Sequence, residues 1–261
     1  SPPLVCFAPT AAADDPVYVN RFLAAYSALG VRNMVLTLWQ GAAESVERLS
    51  QADIVVSGGG SAANLMALWK MHGVDHVIRR MIAADSDVVL AGVSAGAACW
   101  FSGCLTDAFG DLRAWRGGMG LLDGSFCPHF DGESERAPIY AQAVANGVLP
   151  GGYAVDDGAA VHFVDGMFAG AVAEHERAEV SRPLPSRHRR EFCARSSTSP
   201  CCDRFLAVVV QVLAVSVVRQ VREEVDYPTC PGDIVKHHLV GRGSEDECSA
   251  AHHPVKQRGL P

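Results

Sequence analysis

The chain has 261 residues, 49% of them hydrophobic, and a net charge of −7. This is enough apolar material for one α/β domain with additions, or for two small domains, without disulfide staples. The acidic balance argues against a nucleic-acid groove. The longest apolar run, the 14 residues from Phe205 to Val218 broken by Gln211, is shorter than the roughly 20 that cross a bilayer.

Charge divides the chain near residue 174. Residues 1–174 hold 9 Lys/Arg against 18 Asp/Glu, net −9, whereas residues 175–261 hold 13 against 11, net +2. The nine cysteines form no regular framework. Cys6, Cys99, Cys104 and Cys127 sit in apolar or helical surroundings, where a free thiol acts as a small hydrophobe. No basic stretch followed by an apolar one opens the sequence, so a reducing cytoplasm is the expected location.

Leu4–Ala8 reads as a buried strand closed by Pro9-Thr10. Pro16–Leu29 reads as a helix: Val19, Phe22, Leu23 and Tyr26 recur at helical spacing, Asp14 or Asp15 stands near the N-cap, and Gly30 ends it. Val31–Leu38 is strand-like, Ala43–Ser50 a short helix, and Asp53–Val56 a buried strand running into Ser57-Gly58-Gly59-Gly60. Helices follow at Ala62–His72 and Val74–Ala84, then a strand at Val88–Ala91. Repeated strand–helix units with fully apolar strands predict a parallel sheet covered on both faces. Ligands of such sheets bind beyond the C-terminal ends of the strands.

After Ala98 the pattern turns irregular, with a loop at Thr106–Trp115 and a Gly-rich turn at Gly117–Gly120. Gly124–Pro128 leads to His129, and Arg136–Asn146 looks helical. Gly152–Val155, Ala159–Val164 and Met167–Val172 look like strands, the last two joined by the hairpin pair Asp165-Gly166. Arg177–Arg195 is rich in Arg, Ser and Pro without periodicity, Cys201-Cys202 are adjacent, and Gly241–Pro261 is polar. The reading is therefore a domain over residues 1–174 and a divergent tail over 175–261 with no assigned function. The run Phe205–Val218 reads as core or as a tail element.

Chemistry concentrates at Val88–Ala98. A Val-rich strand stops at Gly92-Val93-Ser94-Ala95-Gly96 and passes into small helix-forming residues, the sequence form of a nucleophile elbow. Ser94 is the candidate nucleophile, and a serine hydroxyl needs a base within hydrogen-bond reach. Of the four histidines in residues 1–174, His72 and His76 lie in helices and His162 alternates with apolar neighbours in a strand. His129 leaves an apolar stretch in a loop, where functional side chains are commonly presented, and is the candidate base. The spatial expectation is that Ser94 and His129 converge over the rim of one sheet.

A base of this kind needs a carboxylate to fix its tautomer. Asp107, Asp131, Asp156 and Asp157 are candidates, with Asp157 favoured over Asp107 because Asp156-Asp157-Gly158 ends a strand-like run. The oxyanion needs preorganised donors. Ala95 N–H is one by the elbow geometry, and Gly59 or Gly60 can bring a second. No Lys-Ser/Thr follows the glycines, which disfavours a phosphate loop. Cys127, flanked by Phe126 and Pro128, reads as a packed thiol. Cys230, His237, His238, Cys248, His252 and His253 fit no usual zinc spacing, so neither metal nor cofactor is called for.

Taken in order, five pieces resemble the peptidase E-like serine peptidases, a family that includes aspartyl dipeptidases and, more distantly, cyanophycinases. They are Ile54–Leu65 with its Ser57-Gly58-Gly59-Gly60, Ala91–Ala97, Thr106–Gly110, Cys127–Glu133 and Gly152–Gly158. The resemblance covers roughly residues 4 to 174. It implies a flavodoxin-like α/β fold related to class I glutamine amidotransferases, a mostly parallel sheet with helices on both faces. It also implies a Ser-His-acid triad of Ser94, His129 and Asp157, with Asp107 at another acidic position linked to activity. The glycine loop would supply the second oxyanion donor. Aspartyl dipeptidases read the substrate carboxylate with a basic residue downstream of the histidine, and Arg136 stands in that region here.

Three departures accompany the match, the first being that Arg136 in Glu133-Ser134-Glu135-Arg136 stands slightly out of register with the dipeptidases' basic residue. Relatives carry a strand and glycine-rich turn before the stretch matching Leu4–Pro9, so the sheet is expected to lack an edge element. Their glycine loop runs into Asn-Thr, where this chain has Ser61-Ala62. The expected activity is hydrolysis of small peptides through an acyl-enzyme, with dipeptides as candidate substrates. The alternatives are an inactive or truncated family member, and an α/β-hydrolase esterase, which is disfavoured because there the acid precedes a histidine far downstream. The expected partner is a small peptide, with neither nucleic acid nor membrane, and the oligomeric state is left open, a homo-oligomer included.

Overall fold

The computed structural model describes residues 1–84, 87–182, 206–210 and 236–238. The chain opens with β1 (Leu4–Ala8), α1 (Pro16–Ser27), β2 (Arg32–Val35), α2 (Ala42–Leu49), β3 (Ile54–Ser57), α3 (Ala62–His72), α4 (Val74–Ala83) and β4 (Val89–Gly92). The local signals act as the sequence suggests. Asp15 caps α1 by accepting from Val17 N–H, Ser61 caps α3 by accepting from Asn64 N–H, and Gly73 ends α3 in the left-handed conformation. All four strands pair in parallel, in the order β2-β1-β3-β4, which is the flavodoxin-like order. Side chains of β1 alternate between faces: Val5 and Phe7 pack with Phe22 of α1, while Cys6 and Ala8 join the cluster with Leu65 and Trp69 of α3.

Past the one-turn helix α5 (Ala95–Ala98) the structure departs from the reading. The stretch that looks irregular holds β5 (Phe101–Thr106), β6 (Arg113–Trp115) and β7 (Leu122–Cys127). With β8 (Tyr153–Val155) and β11 (Val180–Ser181) these build a second, five-stranded sheet in the order β11-β8-β7-β5-β6. Short strands interrupted by Gly103 and Gly124 give too few alternations to register as a period. Between β7 and β8 runs α6 (Arg136–Ala145), which covers one face of that sheet through Tyr140, Ala143 and Val144 against Leu105, Cys127 and Ala154.

β9 (Ala159–Val164) and β10 (Met167–Ala173) return to the first sheet as the anticipated hairpin, with Val164 opposite Met167. Asp165 and Gly166 take φ of 51° and 73°, the left-handed pair a two-residue turn requires. The sheets also continue past residue 174. β12 (Leu206–Val210) lies parallel to β4 and antiparallel to β9, and β13 (Lys236–His238) pairs with β10. Part of the apolar run at 205–218 is thus a strand inside the main sheet, and residue 174 separates no sheet from another. The remaining tail motifs, including Cys201-Cys202, Cys230, Cys248, His252 and His253, lie outside the described residues.

Candidate active site

The elbow depends on two glycines for steric reasons. A Cβ at Gly92 would stand 2.1 Å from Gly96 O, and one at Gly96 would stand 2.1 Å from Ser57 O. No larger residue lets α5 approach β3 and β4 so closely. Ser94 is held at φ 52° and ψ −114°, a strained setting for a residue with a Cβ. Such strain persists where the surroundings over-determine it, as the short hydrogen-bonded turn does here (Gly96 N–H to Val93 O, 2.8 Å; Ala98 N–H to Ser94 O, 2.9 Å).

His129 and Asp157 come from the second sheet, which corrects the expectation of a single shared rim. β7 and β8 are adjacent and parallel, with Cys127 opposite Ala154, so their C-terminal ends are neighbours. His129 follows one by two residues and Asp157 follows the other by two. The Ser94 hydroxyl lies 2.9 Å from His129 Nε2, and His129 Nδ1 lies 2.6 Å from Asp157 Oδ1. An ionised carboxylate can only accept, so Nδ1–H donates to Asp157. Nε2 is then left as the acceptor for the serine hydroxyl.

The other candidates separate by position. Asp107 lines the small cleft in front of Ser94, together with Gly60, Ala95, Thr106 and Arg136, while the His129 Nδ1 position is taken by Asp157. Asp131 accepts from Asp157 N–H (2.9 Å), and Asp156 Oδ2 accepts from Glu179 N–H (2.9 Å). Burial pushes the Cys127 thiol up to about 12, which removes it as a nucleophile near neutral pH. His162 is buried in β9 and its Nε2 has no partner among the described residues. Burial lowers its pKa.

The glycine loop also resolves. Gly59 N–H donates to the Tyr18 hydroxyl oxygen (3.3 Å), so that amide is engaged. Gly60, at φ 136°, lines the cleft, and neither its N–H nor that of Ala95 donates to an acceptor among the described residues. Tyr18 carried no signal in the sequence: it is one of several apolar positions of α1, and only the packing of α1 over the loop brings its hydroxyl there.

Arg136, the candidate reader of a substrate carboxylate, lines the cleft and is nearly buried. Its side chain is only 4% exposed. Nη2 donates to Glu133 Oε1 (3.0 Å), while Nε and Nη1 have no hydrogen-bond partner among the described residues. A buried guanidinium with two idle donors is costly. Its place at the first residue of α6 adds to the cost, because the helix N-terminus is itself positive. An anion in the cleft would relieve both.

The sequence pattern of peptidase family S51 matches residues 1–170. The uncharacterized peptidase YgaJ of Bacillus subtilis is 42% identical over 200 residues, spanning 71% of this chain and 85% of that protein. Among solved structures, a putative peptidase E from Listeria monocytogenes is similar at TM-score 0.43 and 24% identity, over 54% of this chain and 74% of the other. A peptidase from an acI-B1 actinobacterium is similar at TM-score 0.48 and 16% identity, over 70% and 81%. The sequence matches carry the assignment: this chain belongs to peptidase family S51 and is a peptidase.

Proposed function

We propose that the chain hydrolyses small peptides, dipeptides among them, through a Ser94-His129-Asp157 triad and an acyl-enzyme. The observation that carries this reading is the continuous chain of hydrogen bonds from Ser94 Oγ through His129 to Asp157, opening on a cleft that contains Arg136. Ser94 attacks the peptide carbonyl while its proton passes to His129 Nε2. Asp157 holds the imidazole in the required tautomer and stabilises the imidazolium. The developing oxyanion takes the N–H groups of Ala95 and Gly60. Collapse gives the leaving amine the proton from His129, and water then releases the acyl group by the reverse use of the same base.

Arg136 is proposed to bind a substrate carboxylate. A carboxylate partner for this guanidinium favours peptides with an acidic N-terminal residue. The four described cysteines are free and buried, in keeping with the reducing cytoplasm proposed as the location. No helix among the described residues is long and apolar enough to cross a membrane.

The test joins a fluorophosphonate probe with a panel of dipeptides carrying acidic, basic and neutral leaders. Ser94→Ala should abolish labelling while leaving thermal unfolding nearly unchanged. Arg136→Met, which keeps the bulk and removes the charge, should raise KM for acidic leaders and leave probe labelling intact. Labelling that survives Ser94→Ala removes Ser94 from the role. An unchanged preference in Arg136→Met removes the arginine from substrate binding.

A further inference from the structure

We infer that Asp131 is the positioning residue of the proposed triad: it holds Asp157 in reach of His129 by binding that residue's backbone N–H. The inference rests on the triad reading and concerns how its acid is kept in place. Asp157 is poorly enclosed, with half of its side chain exposed, so packing alone does not fix it. It sits in the short turn between β8 and β9. Asp156 N–H donates to Glu179 O (3.1 Å), and Ala159 N–H donates to Asp156 O (3.1 Å). The Asp157 N–H instead donates to Asp131 Oδ1 (2.9 Å). The oxygen that orients the acid thus comes from the loop that carries the base.

That loop is itself constrained. His129 has φ 51°, Gly132 N–H donates to His129 O (3.2 Å), and Phe130 N–H donates to Val155 O (3.1 Å). A Cβ at Gly132 would stand 3.3 Å from Asp157 Oδ2, so the turn lies directly against the carboxylate. Beside the His129–Asp157 contact, two hydrogen bonds tie the histidine loop to the end of β8 and its turn, Phe130 to Val155 through the main chain and Asp131 to Asp157 through a side chain. The first continues the β7–β8 pairing. The second reaches the acid's own backbone amide, and it acts through an acceptor oxygen.

The test compares Asp131→Ala and Asp131→Asn with Asp157→Ala and His129→Ala in steady-state hydrolysis of a dipeptide, with thermal unfolding of each. Misplacing a reacting group by an ångström costs up to about 100-fold. Asp131→Ala should therefore lose about 10- to 100-fold in kcat, with KM within about twofold of the wild type. Asp131→Asn keeps an oxygen for the Asp157 N–H and should stay within about threefold in kcat. If Asp131→Ala does not fold, Asp131→Leu, of similar volume and without an acceptor, is held to the same figures. An unchanged kcat in the variant without an acceptor, beside an inactive Asp157→Ala, overturns the inference and leaves the triad standing. An Asn variant as impaired as the Ala variant also overturns it, as does a loss that appears in KM alone. Full activity in both Asp157→Ala and His129→Ala would remove the triad reading beneath it.

Discussion

Asp107 and Asp157 occupy different stations around one cleft, and their substitution separates the two roles. Asp157 lies 2.6 Å from His129 Nδ1, whereas Asp107 stands on the cleft wall at the end of β5. Asp157→Asn should lower kcat on the order of 1,000-fold or more, because an amide no longer stabilises the imidazolium or enforces the tautomer. Asp107→Asn should leave most of kcat. Steady-state kinetics on one dipeptide decides between them, and the reverse ranking would exchange their assignments.

Asp156, next to the acid, offers a different readout. Burial, joined by the nearby carboxylates of Asp131, Glu179 and Asp157, pushes its carboxyl from 3.8 up to about 6. Between those values the folded chain holds a proton that the unfolded chain has released, so this group's contribution to stability declines as pH rises through that window. Asp156→Asn keeps an oxygen for Glu179 N–H and removes that decline. Its Tm advantage over the wild type should therefore widen between about pH 4 and about pH 7, as calorimetry would measure. A gap constant across that range would mean Asp156 is not the group that titrates. His162 acts in the opposite sense: its pKa is lowered by burial, so its contribution is lost as pH falls through the ordinary histidine range.

The elbow is an element whose geometry leaves no tolerance. At Gly96 an added Cβ would meet Ser57 O, a backbone atom of β3 that cannot swing aside. Gly96→Ala should cost at least about 3 kcal/mol and remove probe labelling in whatever protein still folds. Chemical denaturation measures the first and labelling the second. A variant of wild-type stability that still labels would mean that α5 can move away from β3 without loss.

One core cluster joins the two sheets among the described residues. Trp69 and Trp100, with ring centroids 5.6 Å apart, lie in the same cluster as Phe101, Phe126, Tyr153 and Phe163. Phe126 stacks on Phe101 at 5.2 Å and is fully buried. Phe126→Ala should therefore destabilise by about 3–5 kcal/mol. Unfolding should remain a single transition, seen together by far-UV circular dichroism and by loss of labelling at Ser94. Two separate transitions would mean that the sheet bearing His129 and Asp157 melts independently of the sheet bearing Ser94.

Features decided within about a dozen residues were legible before any fold was known. The helix over Ala62–His72 matches its prediction at both ends, because a serine cap and a left-handed glycine are local steric choices. The Asp165-Gly166 hairpin and the elbow at Ser94 are of the same kind. Other features were hidden because they depend on distant contacts. The second sheet joins short, glycine-broken strands that carry no clear period. Asp157 is already favoured over Asp107 for its place at a strand end, but its approach to His129, 28 positions away in the chain, rests on the pairing of β7 with β8. The engagement of the Gly59 amide, which leaves that of Gly60 open, depends on the arrival of Tyr18 from α1. Backbone sterics and side-chain periodicity thus marked the proposed nucleophile and most flanking elements from composition and order. The placing of His129 and Asp157 beside it came from strand pairing and packing, which are long-range and leave little trace in any short stretch of the chain.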